Sequence, residues 1–71
     1  MAIYRNYYVN NTAQPTGEHE VHHDECAYFS SIKSKQLVGA YSTCTEAVAK
    51  ARLFYTNVDG CKYCSPACHK R

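Results

Sequence analysis

The sequence predicts an α+β fold: a small antiparallel β-sheet of two or three strands, in ββ(β)α order, with one helix packed on it and a cysteine-rich C-terminal tail. Three observations carry this expectation. Aromatic and β-branched residues crowd the opening stretch IYRNYYV, the composition that strands favour. In EHEVHH, residues 18–23, the side chains alternate with the period of a half-buried strand. Thr43 followed by Glu46 forms a capping box. Beyond it Cys44, Ala47, Val48, Ala51, Phe54 and Tyr55 fall within about 120° of a helix circumference, the width of a core-facing stripe.

The elements follow in order. Residues 3–9 make the first strand, with Ile3, Tyr7 and Val9 sharing one face with Arg5, and Tyr4, Asn6, Tyr8 and Asn10 on the other. NNTAQPTGE, with Pro15 and Gly17, is turn material. The second strand closes a long hairpin and sets His19, Val21 and His23 on one face, Glu18, Glu20 and His22 on the other. Residues 28–35 show no periodicity. QLVGAY, residues 36–41, makes a third strand in which Gly39 marks a bulge or a close backbone approach. In the helix, Glu46 and Lys50 pair across one turn on the polar side, and Leu53 points outward among polar residues. Asn57–Gly60 (NVDG) stops the helix and turns the chain.

With 71 residues the chain is a single domain, 1–71, near the lower limit for folding on its own core. Ordering it costs on the order of 100 kcal/mol in conformational entropy. The apolar stock is thin, with no Trp and two Phe, and seven Tyr make up part of the deficit. A chain of this kind calls for a staple, either disulfides or a structural metal. No stretch has the length or apolarity of a secretory signal or a membrane span. The expected setting is therefore cytoplasmic and free of membrane, where thiols stay reduced. Five cysteines cannot all pair within the chain, which again favours metal. Charge is uneven: residues 1–25 set four acids against Arg5, a net −3, and residues 26–71 carry a net +5.

Cys61-Lys-Tyr-Cys64 is a CxxC pair just after a turn, a spacing that lets two thiolates grip one tetrahedral ion. Lys62, Lys70 and Arg71 nearby should favour the thiolate form. Upstream, His22-x-x-x-Cys26 ends the second strand and offers a second ligand pair. Because CxxC here follows a helix rather than opening one, a thioredoxin-like role is disfavoured. His19 and His23 read as structural or solvated, and Cys44 as a small hydrophobe on the helix stripe.

Val21-His22, Cys26, Glu46-Ala47, Gly60 and Cys61-x-x-Cys64 together resemble the small metal-binding modules related to the zinc domain of Ada-type DNA alkylation repair proteins, which also occur as tails on some bacterial nucleases. The likeness covers about residues 21–66. The chain as a whole also resembles small uncharacterised bacterial proteins. The module resemblance implies zinc, with His22, Cys26, Cys61 and Cys64 as its four ligands. Two departures stand out: Val21 replaces the usual aromatic residue before the histidine, and no proline precedes Cys61. Cys68 and His69 are additional to the pattern, and either could stand in for His22.

Two functions follow. One is a non-catalytic structural zinc module that binds a nucleic acid or a protein, with the Tyr4/Asn6/Tyr8/Asn10 face offering rings for stacking. The other is an exported or displayed domain held by disulfides such as Cys26–Cys61 or Cys44–Cys64. Enzymatic activity is not expected, because no nucleophile, base and orienting group can be assembled from the sequence.

Overall fold

The computed structural model describes residues 3–70. It contains β1 (Arg5–Asn10), β2 (His19–His23), β3 (Lys35–Tyr41), α1 (Cys44–Ala51) and β4 (Val58–Gly60), with 3₁₀ turns at Phe29–Ser31 and Pro66–Cys68. The strands form one sheet in the order β3-β1-β2-β4. β1 pairs antiparallel with both β2 and β3, whereas β4 runs parallel to β2. The sheet is thus four-stranded and mixed, not a two- or three-stranded antiparallel one. The extra strand comes from the NVDG stretch expected only to stop the helix. Three residues carry no periodic signal, and a parallel pair needs a long crossover, so its partner lies beyond β3 and α1 in the chain.

One face of the sheet carries the core. Tyr7, Val9, Val21 and Val38 pack there against Ala47, Val48 and Ala51 of α1, with Val9, Val21, Ala47 and Ala51 wholly removed from solvent. Alternation along β1 therefore holds for Tyr7 and Val9, while Ile3 precedes the strand and is exposed. Thr43 caps α1 as its sequence indicates, its hydroxyl accepting from the Glu46 amide. The stripe, however, ends earlier than its apolar residues do. After Ala51 the amides of Leu53 and Phe54 bond three residues back, to Lys50 and Ala51, and this tighter winding swings Phe54 off the stripe to 41% exposure. Tyr55 does pack, stacking flat on His19 with ring centroids 3.6 Å apart and donating to Asn11 Oδ1 at 2.8 Å. His19 is structural, its Nδ1 lying 2.9 Å from the Asn10 carbonyl.

Gly39 fulfils both expectations placed on it. The β1–β3 register shifts between Tyr7 and Tyr8, whose partners are Gly39 and Leu37, leaving Val38 as the extra residue of a bulge. Gly39 adopts φ +150°, and a Cβ there would sit 2.9 Å from the Tyr41 ring.

At the other edge, the tail folds back over β4. Cys68 forms a disulfide with Cys44, the first residue of α1, with Cα atoms 6.2 Å apart. This corrects three expectations at once: Cys44 is not a free packing thiol, Cys68 is not a spare ligand, and neither suggested disulfide pairing occurs. The closeness of the fold-back depends on Gly60. A Cβ at that position would lie 2.6 Å from Cys68 Cβ, 2.9 Å from the Cys68 carbonyl carbon and 3.0 Å from the Ser65 carbonyl oxygen. Backbone surrounds it, so nothing flexible can yield. Gly60→Ala is expected to destabilise the fold by about 1–3 kcal/mol and to lower the melting temperature by roughly 4–8 °C per kcal/mol for a domain of this size. Thermal unfolding followed by circular dichroism measures it, and an unchanged midpoint would show that the tail lifts off β4 without cost.

Candidate metal centre

The register of β2 and β4 builds one half of the site. Glu20 stands beside Asp59 and Val21 beside Gly60, so the next position on each strand brings His22 next to Cys61. Val21 faces the core, hence His22 faces the opposite, outer side of the sheet. The Cys61 amide continues the ladder by donating to the Val21 carbonyl at 3.0 Å. Each of the other two thiols arrives through a local turn. After β2, the Cys26 amide donates to His23 O at 3.0 Å and the Phe29 amide to Cys26 O at 3.0 Å, folding Cys26 back toward His22. After Cys61, the Ser65 amide donates to Cys61 O at 2.9 Å, which curls Cys64 inward.

His22, Cys26, Cys61 and Cys64 consequently converge, with one potential ligand atom from each all within 4.8 Å of one another. Cys26 Sγ lies 3.6 Å from His22 Nδ1 and 3.9 Å from Cys61 Sγ, and Cys64 Sγ lies 3.9 Å from His22 Nδ1. His22, Cys26 and Cys61 are buried and Cys64 nearly so. These are the four residues the sequence singles out, and such a group can hold a metal ion. Neither alternative reaches it: Cys68 is disulfide-bonded, and His69 Nδ1 faces the Gly60 carbonyl at 3.0 Å and Asp59 Oδ2 at 3.3 Å. His23 also stays outside, its ring edge-on to Tyr7.

Burial governs the electrostatics. It pushes the Cys61 thiol up and the Cys64 thiol up to about 12, and holds His22 down at about 4, helped by the charge of His23. The lysines near the tail do not lower these thiols; Lys62 is exposed to water, where its field is screened. On its own the pocket therefore keeps the Cys61 and Cys64 thiols and the His22 imidazole neutral. Only a cation placed among them would turn the thiols into thiolates. Amides are already aimed at the sulfurs: the Tyr63 N–H donates to Cys61 Sγ at 3.4 Å, the Cys64 N–H also bonds Cys61, and the His23 N–H bonds Cys64.

Glu20 is the site residue that sequence reasoning misses. Its Oε1 lies 3.5 Å from His22 Nε2, placed to accept from an Nε2–H, the tautomer that leaves the lone pair of Nδ1, the nitrogen facing Cys26 and Cys64, free to bind an ion. The available signal is position: Glu20 lies two residues before His22, on the same face of a strand. The Cys44–Cys68 pair is the second omission, and parity held a clue. With three thiols committed to one site, five cysteines leave two.

Comparison of the chain with protein-family models, with curated proteins and with solved structures finds no match in any of the three. No helix among the described residues is long and apolar enough to cross a membrane.

Two outcomes are expected at this site. Glu20→Gln should weaken metal affinity about 10- to 100-fold, the usual cost of losing a carboxylate behind a ligating histidine, as read by competition with a chromogenic chelator. An unchanged affinity would show that Glu20 does not orient the ring. Metal-free protein should also lose stability on acidification. Because His22 titrates lower in the folded chain than unfolded, the unfolded chain binds the extra proton between pH about 6.5 and about 4. Stability falls through that window by up to about 3 kcal/mol, with His23, also lowered by burial, acting in the same direction. Urea midpoints at intervals from pH about 7 to about 4.5 measure it, and a flat profile would contradict the buried neutral imidazole.

Proposed function

We propose that the protein is a small structural zinc-binding module, non-catalytic, whose metal centre shapes a surface for a nucleic acid or protein partner. The observation that carries it is the convergence of one imidazole and three thiols into a set of four, three of them buried and Cys64 partly so. Zinc bonds sulfur at about 2.3 Å and nitrogen at about 2.0–2.1 Å, so the edges of its tetrahedron are about 3.8 Å between sulfurs and about 3.5 Å between sulfur and nitrogen. Three of the six ligand-pair distances, 3.9, 3.6 and 3.9 Å, lie close to these lengths, and all six are within 4.8 Å. Four protein donors leave no open position for substrate or water, the arrangement of structural rather than catalytic zinc. The raised thiols also lack the low-pKa character of a reactive cysteine.

The resemblance to Ada-type modules supports the same reading through the order HxxxC then CxxC. Methyl transfer to a zinc-bound cysteine is not carried over, since none of the residues that carry the resemblance establishes that reactivity. The Cys44–Cys68 disulfide favours one part of the alternative reading, a working life in an oxidising compartment. It does not compete with the metal, because the bridge uses neither of the two ligand pairs.

The test is intact mass under native and denaturing conditions, with elemental analysis, on protein purified without a histidine tag. The native mass should include one zinc that a chelator removes. The denatured, metal-free chain should show three titratable thiols and a deficit of two protons for the one bridge. Protein that folds with five free thiols and no metal would refute the proposal.

A further inference from the structure

The outer face of the sheet carries a cleft of about 420 Å³ beside the metal centre, with His22 and Cys61 in its wall. Its volume is in the range of pockets that take one small organic group. Tyr28, Tyr63 and Lys33 stand around it, and Asn10 and Gln14 contribute amide side chains. We propose that this cleft binds an unpaired nucleotide of a single-stranded nucleic acid, its base stacked on the Tyr28–Tyr63 pair and its backbone phosphate meeting Lys33.

Four observations lead there. The two tyrosine rings touch, with centroids 4.7 Å apart, yet they remain 47% and 65% exposed. They form a joined aromatic surface that the fold leaves uncovered, and any base can stack on such a surface. The polar groups beside the rings are amides, hydroxyls and an ammonium, with the Glu20 carboxylate also in the wall, a set that suits base edges and phosphate rather than an apolar peptide side chain. Of the four acids in residues 1–25, Glu20 alone lines the cleft. Asp24 and Glu25 lie outside the cleft, Glu25 being held by Arg5 at 2.9 Å, and Glu20 in the wall is engaged with His22. Finally, the cleft is a concave site with strand residues Asn10, Glu20 and His22 in its wall and loop residues such as Gln14, Lys33 and Tyr63 around them, which suits a base splayed out of a helix, as single strands allow and duplexes resist.

The inference rests on the structural metal reading, because Tyr28 follows Cys26 by two residues and Tyr63 sits between Cys61 and Cys64. An ion held by those cysteines fixes the backbone under both rings. On the Tyr4/Asn6/Tyr8/Asn10 face expected from sequence, Tyr8 is half-buried against Phe29, with ring centroids 5.0 Å apart, and Asn10 lines the cleft.

The experiment uses the full chain loaded with zinc and fluorescein-labelled, mixed-sequence decamers of single-stranded DNA and RNA, read by fluorescence anisotropy at low salt. Binding is expected with a dissociation constant below about 100 µM, within the non-specific range. Tyr63→Ala should weaken it about 5- to 150-fold, the measured range for one base–aromatic stack. Lys33→Ala should flatten the plot of log affinity against log salt by about 0.7. Metal content is measured on each variant. Retained zinc with no anisotropy change at about 100 µM protein overturns the cleft proposal alone, whereas absent zinc overturns the reading beneath it. Equal binding of a duplex of the same sequence, equal binding of free mononucleotide, or full binding by Tyr63→Ala also overturns it.

Discussion

The parallel pairing of β4 with β2 is the constraint on which the rest of the structure depends. β4 has three residues and lies at the sheet edge, yet its register decides both fastenings of the molecule. With Gly60 opposite Val21, the next residue, Cys61, falls beside His22 on the outer face. Gly60 itself then turns its bare Cα toward the inner face, where Cys68 packs against it and reaches Cys44 of the helix. A slip of one residue would reverse both faces, sending Cys61 into the apolar core and Asp59 against the disulfide. Asp59 in fact holds the tail from the outer side, its Oδ1 accepting from the Gly60 and Lys70 amides.

Two staples at one edge suit a core this small. The wholly buried residues are valines and alanines, and at about 25 cal/mol per Å² such side chains give little surplus over the entropy of ordering the chain. The Cys44–Cys68 bridge spans 24 residues, a closure that removes about 3.5 kcal/mol of denatured-state freedom in the chain-entropy account. It acts on the helix side of the sheet. The His22, Cys26, Cys61 and Cys64 group lies on the other side, where a bound ion would join the end of β2, the turn after it and the segment after β4. The two are complementary rather than redundant, since each ties the tail to a different layer. Sequence reasoning set metal and disulfide against each other as alternatives, but the five cysteines divide into one bridge and three free thiols that could hold a metal.

Local features were legible in the sequence and long-range ones were not. His22 with Cys26, and Cys61 with Cys64, are each close pairs along the chain, so their spacing reports their geometry directly. The helix start was legible for the same reason, because a capping box is closed within one turn. β4 was not, since its only evidence is a ladder to residues on the other side of β3 and α1. The Cys44–Cys68 bridge depends on that ladder and was hidden with it. Phe54 misled because a hydrophobic stripe records which residues are apolar, not where the winding tightens. Glu20 was passed over because a carboxylate on an exposed-looking strand has no signature until the histidine beside it is known to be buried.

The state of the site without metal bears on how the molecule assembles. With the Cys61 and Cys64 thiols raised and His22 lowered by burial, these groups carry no charge into the pocket, so the desolvation penalty of buried ions does not oppose folding through them before an ion arrives. The sheet–helix core and the disulfide lie on the far side and need no metal for their own contacts. An ion bound there would displace protons from sulfurs that backbone amides already face. It would add order on the outer face by tying the turn after β2 to the CxxC loop. Tyr28 and Tyr63 ride on those two segments. Metal occupancy thus bears less on whether the core exists than on whether the outer surface has one fixed shape.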